Sequence, residues 1–393
     1  MTTFTRMNKG CFLLILMLLI AHSGFTSPLQ TGAERSDLYL PLLQNKRVGL
    51  VVNQTSVVDS IHLVDFLRIH QIDVRMIFAP EHGFRGTHEA GAAVSNGKDS
   101  QTGIPVISLY GSSKKPTDKQ LAGIDVLVFD IQDVGCRFYT YISTMHLVME
   151  ACAANKKPLI ILDRPNPNGD YVAGPVLDRK FQSFVGMDPI PVVHGCTVGE
   201  LARMINGERW LRDSLRCKLT VIPVASYDHS MRYSVPIPPS PNLPNDRAIR
   251  LYPSLCFFEA TTMSIGRGTP FPFQVIGFPD KRFGSFSFTP ERIPGVSLNP
   301  LHEGETCYGE DLRNLDEIPT FTIKYFFAYY QLFLNESDFL ISESFLDKLA
   351  GTDDLILKIR EGYSANELAY QWEAQLKDYK EMRKKYLLYP DFE

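Results

Sequence analysis

The chain lacks the features that mark several large functional classes. No run of consecutive basic residues exceeds three, and 40 Lys and Arg stand against 44 Asp and Glu, a net charge of -4. A nucleic-acid partner needs a concentrated positive surface, so none is expected. No GxGxxG or GxxxxGK[ST] loop occurs, which removes the usual cradles for dinucleotides and nucleoside triphosphates. The only compact glycine pair, Gly266-Arg267-Gly268, follows no evident strand-to-helix turn. GxSxG is missing as well, so Ser/His/Asp hydrolase chemistry loses its clearest marker. Neither CxxC nor a tight Cys/His cluster is present, and a structural zinc site would have to gather ligands from distant segments. No metal or other cofactor is expected. The 27 Gly and 26 Pro follow no period, which argues against collagen-like or disordered chains.

Long apolar runs are also scarce. Residues 1–27 carry Arg6 and Lys9, then the apolar run Phe12 to Ala21, then Ser23, Gly24, Thr26 and Ser27. Cationic flank, short apolar core and small-residue exit together read as a secretory signal peptide. The run is well short of the roughly 20 residues that span a bilayer, and no other stretch approaches that length. The expectation is a soluble periplasmic or secreted protein with no stable membrane insertion once the leader is removed. Six cysteines follow it: Cys136, Cys152, Cys196, Cys217, Cys256 and Cys307. Buried free thiols are the default, with one or two disulfides as the alternative.

At 393 residues the chain has room for two or three compact units. The first half alternates short aliphatic runs with polar tips. Val48 to Val52 precedes Asn53-Gln54-Thr55-Ser56, Val74 to Ala79 precedes Pro80-Glu81-His82-Gly83, and Val106 to Leu109 precedes Tyr110-Gly111. Val126 to Phe129 precedes Asp130-Ile131-Gln132-Asp133, and Leu159 to Leu162 precedes Asp163-Arg164-Pro165-Asn166-Pro167. Apolar runs without alternation suit strands covered on both faces, as in parallel sheets. Amphipathic stretches through Ile61, Val64, Phe66 and Leu67, and through Ile142, Met145, Met149 and Cys152, fit helices between them. The reading is a doubly wound α/β domain over residues 35–185 and a less regular second unit over 186–393. Ligands of open α/β sheets bind beyond the carboxyl ends of the strands, where the five polar tips should gather.

In the second half, Thr197-Val198-Gly199-Glu200 reads as a capping box, which makes Glu200 a cap before a catalyst. The proline-dense segment Val235 to Pro244 and the stretch Glu259 to Thr269 suit loops lining a cleft. Leu368, Trp372, Leu376, Tyr379 and Met382 recur at helical spacing and read as core.

The chemistry left open is that of carboxylates at strand ends, with arginines, aromatics and amides. Glu81 follows an apolar strand directly, where partial desolvation would suit it to act as a general acid. Asp130, Asp133 and Asp163 at neighbouring tips could serve as base, electrostatic stabiliser or hydroxyl acceptor, although helix capping by Asp133 or pairing of Asp163 with Arg164 would serve as well. His82 and His194 could donate to sugar hydroxyls, and Arg137 or Arg267 could bind a carboxylate bidentately. Asn53, Tyr139, Asp163, Arg164, Asn166 and Glu259 complete the candidate binding set; Tyr139, with Phe138, Tyr141 and Phe273, could stack on a sugar face.

The blocks Asn53-Gln54-Thr55, Pro80 to Gly86, Asp130 to Tyr141, Asp163 to Pro167 and Gly266 to Thr269 resemble the exo-β-N-acetylmuramidases of the NamZ type. The resemblance runs from about residue 45 to the C-terminus. It implies a Rossmann-like domain plus a smaller α+β domain, with the active site in the cleft between them. It also implies release of N-acetylmuramic acid from the non-reducing end of peptidoglycan fragments, with the catalytic glutamate at Glu81. Asp130 or Asp133 is then the expected second carboxylate, although the substrate's own 2-acetamido oxygen could replace it. Rival expectations are an N-acetylglucosaminidase of similar architecture and a periplasmic sugar-binding protein without turnover.

Overall fold

A computed structural model describes residues 28–81, 83–84, 97–111 and 113–393. The leader expected over residues 1–27 and the candidate His82 lie outside the described residues. The central element is a seven-stranded sheet. Its strands are β1 (Arg47–Val52), β2 (Asp73–Ala79), β3 (Gly97–Lys98), β4 (Pro105–Ser108), β5 (Val126–Asp130), β6 (Pro158–Leu162) and β7 (Lys218–Ile222). Their order is β7-β6-β5-β1-β2-β4-β3, and every pairing is parallel except that of β3 with β4. Strand order therefore reverses at β1, as in doubly wound folds.

The aliphatic runs form these strands because both faces are covered. Successive side chains point to opposite faces, so Val48, Leu50 and Val52 pack with Tyr39, Leu63 and Leu67 on one side. Val51, Leu127 and Phe129 pack on the other with Met145 and Val148 of helix α1 (Tyr141–Ala154). The first unit extends beyond residue 185, because β7 pairs in register with β6 from Lys218↔Pro158 to Ile222↔Leu162. Its alternating exposure at the sheet edge explains why Lys218–Ile222 does not stand out as an apolar run.

The second unit is smaller and mixed. A three-stranded antiparallel sheet, Val275–Phe278, Cys307–Asp311 and Phe286–Phe288, packs beside helices that include Asp246–Leu255 and α2 (Glu343–Ala350). The capping box at Thr197 is present, with Glu200 accepting from the Thr197 N–H at 2.9 Å. The expected C-terminal helix is two, Ala365–Gln371 and Glu373–Lys384, meeting at Trp372. All six described cysteines are buried and free.

One side chain ties the two units together. Arg137 is fully buried, and its guanidinium donates to the carbonyls of Pro175 at 2.7 Å, Ile190 at 2.8 Å, Leu349 at 2.8 Å and Ala350 at 2.6 Å. The last two close the C-terminus of α2, where a cation meets the negative end of the helix dipole. Gly351 makes room for it: in its left-handed conformation (φ +75°), an added Cβ would sit 2.8 Å from Nη2 of Arg137. Burial lowers the Arg137 pKa only to about 10, so the group stays charged at neutral pH. The reading of Arg137 as a substrate-carboxylate ligand is corrected accordingly, since the guanidinium is enclosed by backbone oxygens and does not reach the cleft. Arg137→Met keeps the stem but strands four buried carbonyls, and urea denaturation should show a loss of at least about 3 kcal/mol. A loss below about 1 kcal/mol would contradict the clamp.

Candidate active site

Two of the five polar strand tips, those of β2 and β4, meet at one cleft. Its volume is about 810 Å³, and its lining includes Glu81 after β2, Tyr110 after β4, and Phe138, Tyr139 and Thr140 after β5. The opposite wall comes from the second unit, with Glu259, Arg267, Tyr252 and Phe273 among its residues. Six of the candidate residues named from sequence therefore share the cleft: Glu81, Phe138, Tyr139, Glu259, Arg267 and Phe273.

Glu81 is half-buried and held by hydroxyls. Thr140, at the start of α1, donates through Oγ1 to Oε2 of Glu81 at 2.8 Å. The phenol of Tyr110 also hydrogen-bonds Glu81; burial first, and then the charge of Glu81, raises its pKa, so Tyr110 remains a donor. Glu259 lies close enough to Tyr110 to push the same way. Across the cleft Arg267 pairs with Glu259, and its guanidinium lies over the Phe273 ring at 5.1 Å. The aromatic wall is braced edge to face, Tyr139 with Tyr252 at 5.9 Å and Tyr252 with Phe273 at 4.9 Å. Thus hydroxyls orient Glu81, and a guanidinium pairs with Glu259.

The remaining tips turn inward and hold the sheet edge together. Asp130 is fully buried in a bidentate pair with Arg164, at 2.6 Å to Nε and 2.9 Å to Nη2. Neither lines the cleft, so Asp130 as second carboxylate and Arg164 as ligand give way to a structural ion pair. Asp163 accepts from Thr197 Oγ1 and Gly199 N–H, both at 2.7 Å, and from the Tyr389 hydroxyl, which anchors the N-terminus of the helix Val198–Gly207. Burial raises its pKa to about 6, against these hydrogen bonds. Asn53 accepts from Thr55 N–H at 2.9 Å and Thr55 Oγ1 at 2.6 Å, and that hydroxyl oxygen accepts from Gln132 N–H at 2.9 Å, joining the tips of β1 and β5. Asn166 donates to the Cys196 carbonyl at 2.9 Å and packs against Gly135, where no Cβ would fit. His194 accepts from Cys196 N–H at 3.2 Å; burial first, and then Arg383, lowers its pKa to about 3, so it is neutral. None of Asn53, Asp163, Asn166 and His194 lines the cleft.

Asp133 takes a third course. It is buried, accepts from Gly135 N–H at 2.7 Å, and does not line the cleft. Its charge is felt by Tyr139 and Tyr141, which places it behind the aromatic wall. Burial pushes its pKa up to about 7, partly offset by the N–H groups of Gly135 and Val134. An unfolded aspartate titrates near 3.9, so the folded chain binds this proton more tightly, and stability from this group falls as pH rises from about 4 to about 7. In urea titrations, the stability of the wild type minus that of Asp133→Asn should fall across this window by up to about 1.4 kcal/mol per pH unit. A flat difference would contradict a desolvated Asp133.

Tyr110, Thr140 and Tyr252 are cleft residues that sequence reasoning did not select. The strand-end position of Tyr110 was available as a signal; the hydroxyl of Thr140 was hidden within a block read for its charges.

Comparison with known proteins matches this arrangement. The model of the N-terminal domain of exo-β-N-acetylmuramidase NamZ matches residues 48–247, and that of its C-terminal domain matches residues 250–389. The chain is 38% identical over 372 residues to a peptidoglycan β-N-acetylmuramidase NamZ of Bacillus subtilis, covering 89% of each chain. Two solved DUF1343 family proteins of Bacteroides fragilis are also similar. One superposes with a TM-score of 0.85 at 45% identity, covering 93% of this chain and 100% of its own. The other has a TM-score of 0.80 at 30% identity, covering 92% and 99%. With both domain models matched in order across the two walls of one cleft, the chain belongs to the exo-β-N-acetylmuramidase NamZ family.

Proposed function

We propose that the protein is an exo-β-N-acetylmuramidase that releases N-acetylmuramic acid from the non-reducing end of peptidoglycan fragments, with Glu81 as general acid. The observation that carries the assignment is the placement of Glu81 at the end of β2 in the cleft, with its carboxyl group oriented by the hydroxyls of Thr140 and Tyr110. A carboxyl group so oriented at a strand end can present its proton to a glycosidic oxygen. The acid lowers the barrier by protonating the departing oxygen as the C–O bond breaks, while a water or the substrate's own 2-acetamido oxygen forms the new bond to the anomeric carbon and water completes the hydrolysis.

Muramic acid differs from glucosamine by a lactyl carboxylate. Arg267, stacked on Phe273 and facing the cleft together with Lys114, has the planar guanidinium suited to select it, and Arg137 is committed elsewhere. This favours a muramidase over a glucosaminidase of the same architecture.

Glu81→Gln should cut turnover of a MurNAc-GlcNAc disaccharide by roughly 10²–10⁴-fold while the circular dichroism spectrum stays unchanged. An activated aryl glycoside, whose leaving group needs little protonation, should lose much less. Equal losses on both substrates would remove Glu81 from the acid role. Arg267→Met should lower kcat/KM on an N-acetylmuramide by roughly 10–100-fold and leave slow turnover of the matching N-acetylglucosaminide nearly unchanged. Equal losses on the two sugars would show that Arg267 does not read the lactyl group.

A further inference from the structure

Far from the cleft, the C-terminal end of α1 and the start of the edge strand β7 bring two cysteines together. Helix α1 ends at Ala154, and Lys156 turns the chain into β6 with a left-handed φ of +52°. The Lys157 N–H reaches back to the Cys152 carbonyl at 2.8 Å. Because β6 and β7 run parallel with Lys218 opposite Pro158, Cys217 falls beside Lys157 and so beside Cys152. Asn206 fixes Cys217 in that place: its Nδ2 donates to the Cys217 carbonyl at 3.0 Å, and its Oδ1 accepts from the Cys217 N–H at 2.8 Å.

The side chains follow the backbone. Cys152 is fully buried, Cys217 is 4% exposed, and both belong to one apolar cluster. The two thiols are in contact; their hydrogen bond first, and then burial, raises the Cys152 pKa well above its ordinary value. Other thiols are placed differently. Cys196 meets the Tyr379 hydroxyl at 3.5 Å, and Cys307 packs with Val275 and Phe288 in the second unit.

We propose that Cys152 and Cys217 are a disulfide site, which closes on meeting a disulfide oxidant and fastens α1 to the edge of the sheet. The Cys217 thiolate attacks one sulfur of the oxidant, such as oxidised glutathione; that S–S bond breaks, a mixed disulfide forms and one thiolate leaves. The Cys152 thiolate then attacks the Cys217 sulfur and expels the second. Each departing thiolate takes up a proton lost by one of the two cysteines, so two protein thiols are oxidised and one external disulfide is reduced to two thiols. Buried thiols resist ionisation, so the exchange belongs to folding or to openings of the edge strand. The bond joins residues 65 positions apart and removes the corresponding freedom from the unfolded chain. It lies at the opposite end of α1 from Thr140, so it leaves the hydrogen bond to Glu81 alone.

The test refolds the full chain from urea in a mixture of reduced and oxidised glutathione and, in parallel, in dithiothreitol. Alkylation of the remaining thiols followed by peptide mapping should show Cys152 joined to Cys217 in the first sample and both alkylated in the second. The oxidised protein should melt roughly 3–8 °C above the reduced one, and Cys217→Ala should melt at the same temperature in both buffers. The map needs only the wild type, so it decides the pairing whether or not the variant refolds. Alkylation of Cys152 and Cys217 after oxidation, or a bond from either to another cysteine, would overturn the proposal. A joined pair with no rise in melting temperature would overturn the fastening of α1.

Discussion

A single buried cation holds the architecture together. Among the described residues Arg137 has no carboxylate partner; its charge is met by carbonyl dipoles from the strand Ala173–Val176, the segment ending at Ile190 and the C-terminus of α2. Four hydrogen bonds to four backbone oxygens in two units act as a geometric constraint, because the planar guanidinium donates them in only one arrangement. The loop carrying Arg137 also carries Tyr139 and Thr140, so the constraint that joins the units also sets the position of the donor that orients Glu81. The cleft is a consequence of where this clamp closes.

The strand ends divide their work in a way that follows from solvent access. The tips of β1 and β6 are capped by the protein itself, through the Asn53–Thr55 turn and the Asp163–Thr197 contact, and their polar atoms are spent on backbone and side chains. The tips of β2 and β4, with the segment that leads from β5 into α1, face the second unit across a gap, and there a carboxyl group, a phenol and a hydroxyl converge. Buried pairing such as Asp130 with Arg164 supplies rigidity beneath that edge. An acid that must present its proton within a few tenths of an ångström benefits from such a floor.

Much of this was legible in the residues alone. Five short, mostly apolar runs correspond to five strands joined by parallel pairing; those of β1, β5 and β6 are buried almost throughout, which demands apolar residues at nearly every position, whereas β2 and β4 carry Arg75 and Ser108 and are partly exposed. Glu81 stood out by position, and Arg267 and Glu259 by their loop. What could not be read was direction. A polar residue after a strand looks the same whether it turns outward, as Glu81 does, or inward, as Asp130, Asp163 and Asn166 do; partners 30 or more positions away decide it. Arg137 was misread for that reason, since its acceptors are carbonyls, which carry no residue identity. The edge strand β7 escaped because its outer face is wet and breaks the apolar run.

The central claim is that Glu81 faces the bond to be broken while Arg267 holds the lactyl carboxylate. A crystal structure of the Glu81→Gln protein with MurNAc-GlcNAc bound tests both at once. The expected result is the residue 81 amide at roughly 2.6–3.2 Å from the glycosidic oxygen, with the lactyl group on the Arg267 guanidinium. A disaccharide seated away from residue 81, or a lactyl group turned to solvent, would contradict it.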